Sequence, residues 1–288
     1  MRLDIDHVVF GGTDLDALTD RFERIGLDGQ YGGTHADGTT HMRVVPFRDG
    51  SYLELIAPTN ATDPTDAGYW PARLAADAGP TAWCLRGEDA GEMACEAVRS
   101  GFSVHGPTPG GRTTTDGRVL EWDAVVLDGD AVDPAHGSGT GAAGEALPFV
   151  CVDRTPRTWR VPPADAHVAP ASGVEAVLLA VEDAGAWTRR FRRLAAIPRP
   201  VDVDLPGLDG DAVVFPGTPL VLVEPTPGSD LATRTAELGV GPCGYLLGVD
   251  DIEEARRTYP LGETWTVAGR SGAWFEKERG TLGVVTER

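Results

Sequence analysis

Two residues in apolar segments carry the first sign of chemistry. His7 sits in LDIDHVVFGG (3–12) and Glu54 in SYLELIAP (51–58). Side chains alternate along a strand, so leucines of the second segment facing a core turn Glu54 to the other side. A carboxylate among such neighbours is rarely buried without a partner. Imidazole and carboxylate together suit Zn, Fe, Mn, Ni or Co. The plainer readings are a hydrogen-bonded core histidine and an exposed glutamate on a solvated sheet face.

A catalytic metal normally takes three protein ligands and keeps one position open. His35, His41 and His105 are the candidates to complete the set, one or two of them as ligands. The first two lie six residues apart in and beside a Gly-rich stretch, QYGGTHADGTT (30–40), which can close over a ligand or be an ordinary surface loop. Arg112 follows two glycines and can clamp a carboxylate or phosphate through its planar fork, or serve a surface salt bridge. Trp122 offers a pocket wall or simple core packing. His35, His41, His105, Arg112 and Trp122 are therefore the candidate substrate-binding residues. Further on, TAWCLRG (81–87) has no His, Glu or Asp, and LPFVCVD (147–153) offers only Asp153. VEAVLLAV, PLVLVEP and CGYLLGV carry no His, and Glu175 and Glu224 at strand ends are expected to face solvent. Any metal is expected in the N-terminal half alone. The string 139–144 fits GxGxxG, but it neither follows a strand nor opens a helix, so it is read as a loop insertion.

The elements that position these residues repeat. A buried strand (3–12) precedes a helix (14–26) with Asp14 as N-cap, Leu15, Leu18, Phe22 and Ile25 at helical spacing, and Gly26 as stop. Two strands follow at 41–47 and 51–58, joined through Arg48-Asp49-Gly50. The pattern recurs from 81, from 174 and, shortened, from 243. Helix 182–197 carries a basic cluster at 188–194, read as one solvated face with Phe191 and Leu194 inside. Four βαβββ-like units predict an α+β protein with two halves. The Pro- and Ala-rich stretch 156–173 reads as their junction.

These residues resemble a known family, the glyoxalase-like subgroup of the vicinal oxygen chelate superfamily. Asp6-His7-Val8-Val9 and Tyr52-Leu53-Glu54-Leu55 match its first-module motifs. Gly32-Gly33-Thr34-His35 and Gly38-Thr39-Thr40-His41 match the elements between, with His41 where the subgroup has Asn. Arg112, Asp116-Gly117, Trp122 and Leu147-Pro148-Phe149 match the second-module string. The resemblance covers about residues 3–185, and the remainder matches by module pattern only. It implies tandem βαβββ modules forming two cupped mixed β-sheets, in a first domain 1–160 (modules 1–78 and 79–160), a linker 161–173 and a degenerate second domain 174–288. It also implies a divalent metal held by His7 and Glu54 in the N-terminal cup. Glu54 is then the candidate catalytic group of a lyase, isomerase or dioxygenase acting on a small oxygen-chelating substrate. The alternative is a metal-free module that binds or sequesters a small molecule. Pairing into a homodimer is a further expectation of the family.

Composition narrows the partners. Asp and Glu total 44 against 25 Lys and Arg, a net charge of −19, and Lys277 is the single lysine. Such a surface repels phosphate backbones and anionic lipid, so nucleic acid and membrane are excluded as expected partners. An acidic, lysine-poor surface suits a high-salt cytoplasm, where screening relieves self-repulsion; a GC-rich genome would also favour Arg over Lys. MRLDIDHVVFGG has neither a basic start nor an apolar signal core, which predicts a cytoplasmic location. Cys84, Cys95, Cys151 and Cys243 form no CxxC pair and are expected to be free, buried thiols.

Overall fold

The computed structural model describes residues 1–59, 69–130, 146–164 and 170–287. The GxGxxG string and the middle of the expected linker lie outside these residues.

The first module runs β1 (Ile5–Gly11), α1 (Leu15–Glu23), β2 (Gln30–His35), β3 (Thr40–Pro46), β4 (Tyr52–Pro58) and a short α2 (Tyr69–Ala75). Asp14 caps α1 by accepting from the Ala17 amide at 2.7 Å, and Gly26 leaves it at φ +82°. The second module runs β5 (Gly79–Arg86), α3 (Ala90–Arg99), β6 (Phe102–Thr113), β7 (Val119–Asp130) and β8 (Phe149–Asp153). One helical turn, α4 (Arg157–Arg160), follows inside the stretch read as a junction. The C-terminal half holds β9 (Val174–Ala180), α5 (Ala184–Leu194), β10 (Val201–Val203), β11 (Gly210–Val214), β12 (Leu220–Pro225) and α6 (Asp230–Leu238). It ends with β13 (Gly241–Val249), α7 (Ile252–Ala255), β14 (Leu261–Val267), β15 (Arg270–Phe275) and β16 (Leu282–Thr286). Phe191 and Leu194 face inward from α5, as its periodicity predicts.

Eight strands close into a barrel in the order β1-β4-β3-β2-β6-β7-β8-β5. The other eight form an open sheet, β10-β11-β12-β9-β13-β16-β15-β14. Both follow the same module plan, in which the first strand pairs in parallel with the last. The barrel closes because the Gly-rich stretch, read in sequence as a polar loop, forms β2 and pairs with β6 at Thr34 and His35. The second sheet stays open because its β2 equivalent, β10, is three residues long and pairs only with β11.

The outer faces of the two sheets share one core. Val8, Phe10, Leu53, Leu55, Trp83 and Leu85 from the barrel join Val177, Leu179, Leu247 and Phe191 from the second half. Tyr245 on β13 is fully buried in this seam. Its hydroxyl donates toward the carbonyls of Val9 (2.8 Å) and Ala82 (2.9 Å) and accepts from the Thr81 amide (3.1 Å). Those groups flank a register shift between β1 and β5, where strand pairing is interrupted and Thr81 opposes no residue of β1. One phenol therefore satisfies polar backbone atoms that apolar neighbours would strand.

Tyr245→Phe keeps the ring and removes these bonds. Unfolding free energy is expected to fall by about 1–3 kcal/mol, the cost of an unsatisfied buried group, read from denaturant titration in high salt.

Candidate metal and substrate site

The barrel interior holds a cavity of about 630 Å³. His7, Tyr52 and Glu54 line it from the first and last strands of module one; Arg112, Trp122, Phe149 and Cys151 line it from module two. Alternation explains the choice. On β4, Tyr52, Glu54 and Ile56 point inward while Leu53 and Leu55 belong to the outer core.

β1 breaks this rule at one point. Ile5 opposes Leu85, yet His7 opposes Cys84, so Asp6 is the extra residue of a bulge. A bulge re-aims side chains, and Asp6 and His7 both become buried beside the cavity. The Asp6 carboxylate accepts from His7 Nδ1 at 2.7 Å, from both Arg160 Nη atoms at 2.9 Å, and from Arg157 Nη1. Burial alone would raise its pKa; the hydrogen bond from His7 and the charge and hydrogen bonds of Arg160 outweigh burial and hold it well below the ordinary Asp value. A carboxylate so placed accepts only, so His7 carries its proton on Nδ1 and turns the Nε2 lone pair away. The imidazole stacks on Tyr52 at 4.5 Å and meets the edge of Phe149 at 5.3 Å, which fixes its plane.

His7 Nε2 faces Glu54 Oε2 at 3.6 Å. His35 Nε2 faces the other oxygen, Glu54 Oε1, at 3.8 Å, while its Nδ1 bonds Thr40 Oγ1 at 2.8 Å. Both gaps are too long for a hydrogen bond. Two imidazole nitrogens thus converge on a buried carboxylate without bonding it. Two histidines and one carboxylate are a common complement for a divalent ion, and here the carboxylate lies between the two rings rather than all three donors meeting within 4.8 Å. One His7 nitrogen, an Asp6 oxygen and Cys84 Sγ do lie within 4.8 Å of one another. That group is a poorer cradle, because the guanidinium groups of Arg157 and Arg160 already occupy the Asp6 carboxylate.

Arg112 is 5% exposed and lines the same cavity. Its Nη1 donates to the Gly32 carbonyl and its Nη2 to the Arg160 carbonyl at 2.8 Å. No carboxylate among the described residues lies within ion-pair distance of it, and burial lowers its pKa. Trp122 lies against Gly110, where an added Cβ would come within 2.4 Å of the indole nitrogen. His105 lines the rim, its half-exposed ring 3.3 Å from Asp128.

His41 differs from expectation. It is absent from the cavity lining, whereas its neighbours Thr40 and Met42 are present. Alternation turns its ring outward toward Tyr31, with ring centroids 6.2 Å apart, so it is not placed to bind substrate. Asp153 is held by Arg160 at 2.6 Å and is engaged away from the cavity. Glu175 pairs with Arg270 at 2.9 Å, and Glu224 accepts from the Ala184 amide at 2.6 Å, so neither is a free solvent carboxylate. All four cysteines are free, and Cys95 is exposed on α3. Sequence reasoning missed Asp6, Tyr52, Cys151, Arg157 and Arg160 as site components. Asp6 and Tyr52 stand inside the quoted motifs; the two arginines carried no signal, since they fall in a stretch that reads as a linker.

Asp6→Asn would remove the fully buried carboxylate that buried Arg160 and half-buried Arg157 share, leaving both paired with Asp153 alone. It is expected to lower stability by about 1.5–3 kcal/mol, the value of lost charge-assisted hydrogen bonds. Because the native pKa of Asp6 is depressed, its contribution is complete above the ordinary Asp range and fades as pH falls toward the native value. Urea titrations across acidic pH should therefore show a shallower acid loss in the variant than in the native protein.

The glyoxalase-like domain family model matches residues 5–195. A crystal structure of a hypothetical protein from Staphylococcus aureus aligns with a TM-score of 0.61 at 12% identity, covering 99% of this chain and 98% of that one. A triple mutant of 4-hydroxymandelate synthase from Streptomyces coelicolor aligns at 0.56 and 14% identity, covering 99% and 92%. A fusion of a xylose isomerase-like TIM barrel with 4-hydroxyphenylpyruvate dioxygenase aligns at 0.56 and 13%, covering 99% of this chain and 49% of that one. At these identities the likeness is one of fold. Among curated proteins none shows significant similarity to the chain. No helix among the described residues is long and apolar enough to cross a membrane. The paired modules, the motif order and the family match together make this chain a member of the glyoxalase-like domain family, within the vicinal oxygen chelate superfamily.

Proposed function

We propose that the chain is a divalent-metal-dependent enzyme of lyase, isomerase or dioxygenase type, acting on a small anionic substrate with adjacent oxygens inside the barrel. The observation that carries this is the convergence of His7 Nε2 and His35 Nε2 on the two oxygens of buried Glu54, at 3.6 and 3.8 Å. His7, His35 and Glu54 would hold the metal, with Zn, Fe, Mn, Ni and Co all compatible with those donors. A bound metal would supply Lewis acidity toward vicinal substrate oxygens.

The remaining residues bind and orient. Arg112 offers a desolvated cation to a substrate carboxylate, and burial strengthens that pairing over one in water. Burial pushes the Tyr52 phenol well above its ordinary value, so it stays neutral and presents an uncharged face beside His7. Trp122, Phe149 and Val9 form the apolar wall that excludes water. Asp6 keeps the His7 proton on Nδ1, and such support typically alters metal affinity about 10- to 100-fold. The acidic, lysine-poor composition supports a cytoplasm of high ionic strength as the setting.

The test is elemental analysis of protein purified in high salt without chelator, beside a His7→Ala, Glu54→Ala double variant. About one transition metal per chain, lost in the variant, is the expected result. Calorimetry with oxalate as a vicinal-oxygen anion should show roughly 10- to 100-fold weaker binding for Arg112→Ala, the value of a charge-assisted bond. No metal in the native protein even after reconstitution, with oxalate binding retained, would replace this reading by the metal-free binding module.

A further inference from the structure

The barrel is closed least firmly beside the cavity. β2 pairs with β6 at only two positions, Thr34 with Thr113 and His35 with Arg112, and the Ala36 amide adds one bond to the Gly111 carbonyl at 3.1 Å. From Phe102 to Gly110, β6 has β7 on one side and no described strand on the other. A side slot therefore opens beyond the end of β2. Asp37 and Thr39 from the β2–β3 turn and His105, Thr108 and Pro109 from β6 line the cavity at this slot.

A second hollow of about 690 Å³ adjoins the cavity there. His35, Ala36, Pro109, Gly110, Gly111 and Arg112 line both spaces, and the two glycines put no side chain between them. Tyr31 and Val119 line the outer groove, 42% and 58% exposed. They are two of the five large apolar side chains exposed among the described residues. Exposed apolar side chains gathered in one groove mark a contact site. His41, which does not reach the cavity, meets the Tyr31 ring in a T-shaped contact and so helps to position it. Thr34, Thr113, Thr114 and Thr115 add hydroxyls to the lining. No lysine lines the groove, and its single arginine is buried Arg112. A phosphate-bearing group would call for exposed cations. Hydroxyls beside an aromatic ring suit a neutral sugar instead, whose C–H face lies on the ring while its hydroxyls pair with the threonines.

We propose that the substrate is a two-part molecule, with an anionic oxygen-chelating head in the barrel and a neutral sugar in the outer groove, joined through the slot beside Arg112. This rests on the barrel site proposed above and names the rest of its substrate. The sugar lies away from the reacting atoms, and its binding energy serves to hold the head in place.

Calorimetry of the full chain in high salt tests the groove with three probes. Gluconate supplies an α-hydroxy-acid head, lactobionate adds a galactosyl group to it, and 6-phosphogluconate adds a phosphate. Lactobionate is expected to bind at least about tenfold more tightly than gluconate, the value of stacking and one or two hydrogen bonds. Tyr31→Ala and Thr113→Val should each remove most of that advantage and leave gluconate binding unchanged; both side chains are exposed, so the fold is retained. 6-Phosphogluconate should bind no more tightly than gluconate. Equal affinities for lactobionate and gluconate in the native chain overturn the proposal. So does an advantage that survives in the Tyr31→Ala, Thr113→Val double variant, or a preference for the phosphate. Gluconate binding indifferent to Arg112→Ala counts against the barrel site itself, and the Tyr31 comparison then still decides the groove.

Discussion

The carboxylate of Asp6 is fully buried, and three side chains donate to it: His7, Arg157 and Arg160. A charge in that position is costly unless its hydrogen-bonding capacity is filled, and here it is. The consequences spread outward. The bond to His7 sets the imidazole tautomer and aims Nε2 at Glu54. The pairing with Arg160 brings the segment after β8 back over the end of the barrel. Arg160 then reaches Asp153 and the Tyr52 hydroxyl, and its carbonyl receives Arg112. One buried anion thus connects the first strand, the last strand and the cation of the cavity.

The second sheet supports this arrangement from behind. One face of it carries an apolar cluster that includes Leu178, Val223, Leu246, Trp265 and Trp274. Its contribution to the site comes through the seam. Tyr245 caps the interrupted pairing of β1 and β5 only two residues beyond His7, and Arg21 clasps buried Glu278. Ser51, next to Tyr52, accepts from the Val174 amide at the start of β9. The C-terminal half therefore acts as a rigid backing for the strands that carry the histidine and the glutamate. The geometry of the cavity follows from packing on both sides of those strands.

The two modules of the barrel share a backbone plan but not a chemistry. Module one lines the cavity with His7, His35, Tyr52 and Glu54; module two lines it with Arg112, Trp122, Phe149 and Cys151, and with His105 at the rim. Such divergence is compatible with one fold because inward positions in a barrel are decided by alternation, whatever residue occupies them.

Periodicity, caps and turn residues determined the repeated βαβββ order, because these are local properties of the chain. Asp14 and Gly26 bound the first helix whatever surrounds it, and the apolar runs around His7 and Glu54 announce buried strands. The inward direction of Glu54 was legible for the same reason, since alternation is local. Tertiary structure decided which histidine joins it. His35 and His41 look equivalent in sequence, but β2 had to pair with β6 before one faced the cavity and the other the outside. The roles of Arg157 and Arg160 were equally hidden, because a Pro-rich stretch shows no partner until a buried carboxylate more than 150 residues away draws it in. Long-range ion pairing and barrel closure leave no periodic trace in sequence, and these are the interactions that assemble the site.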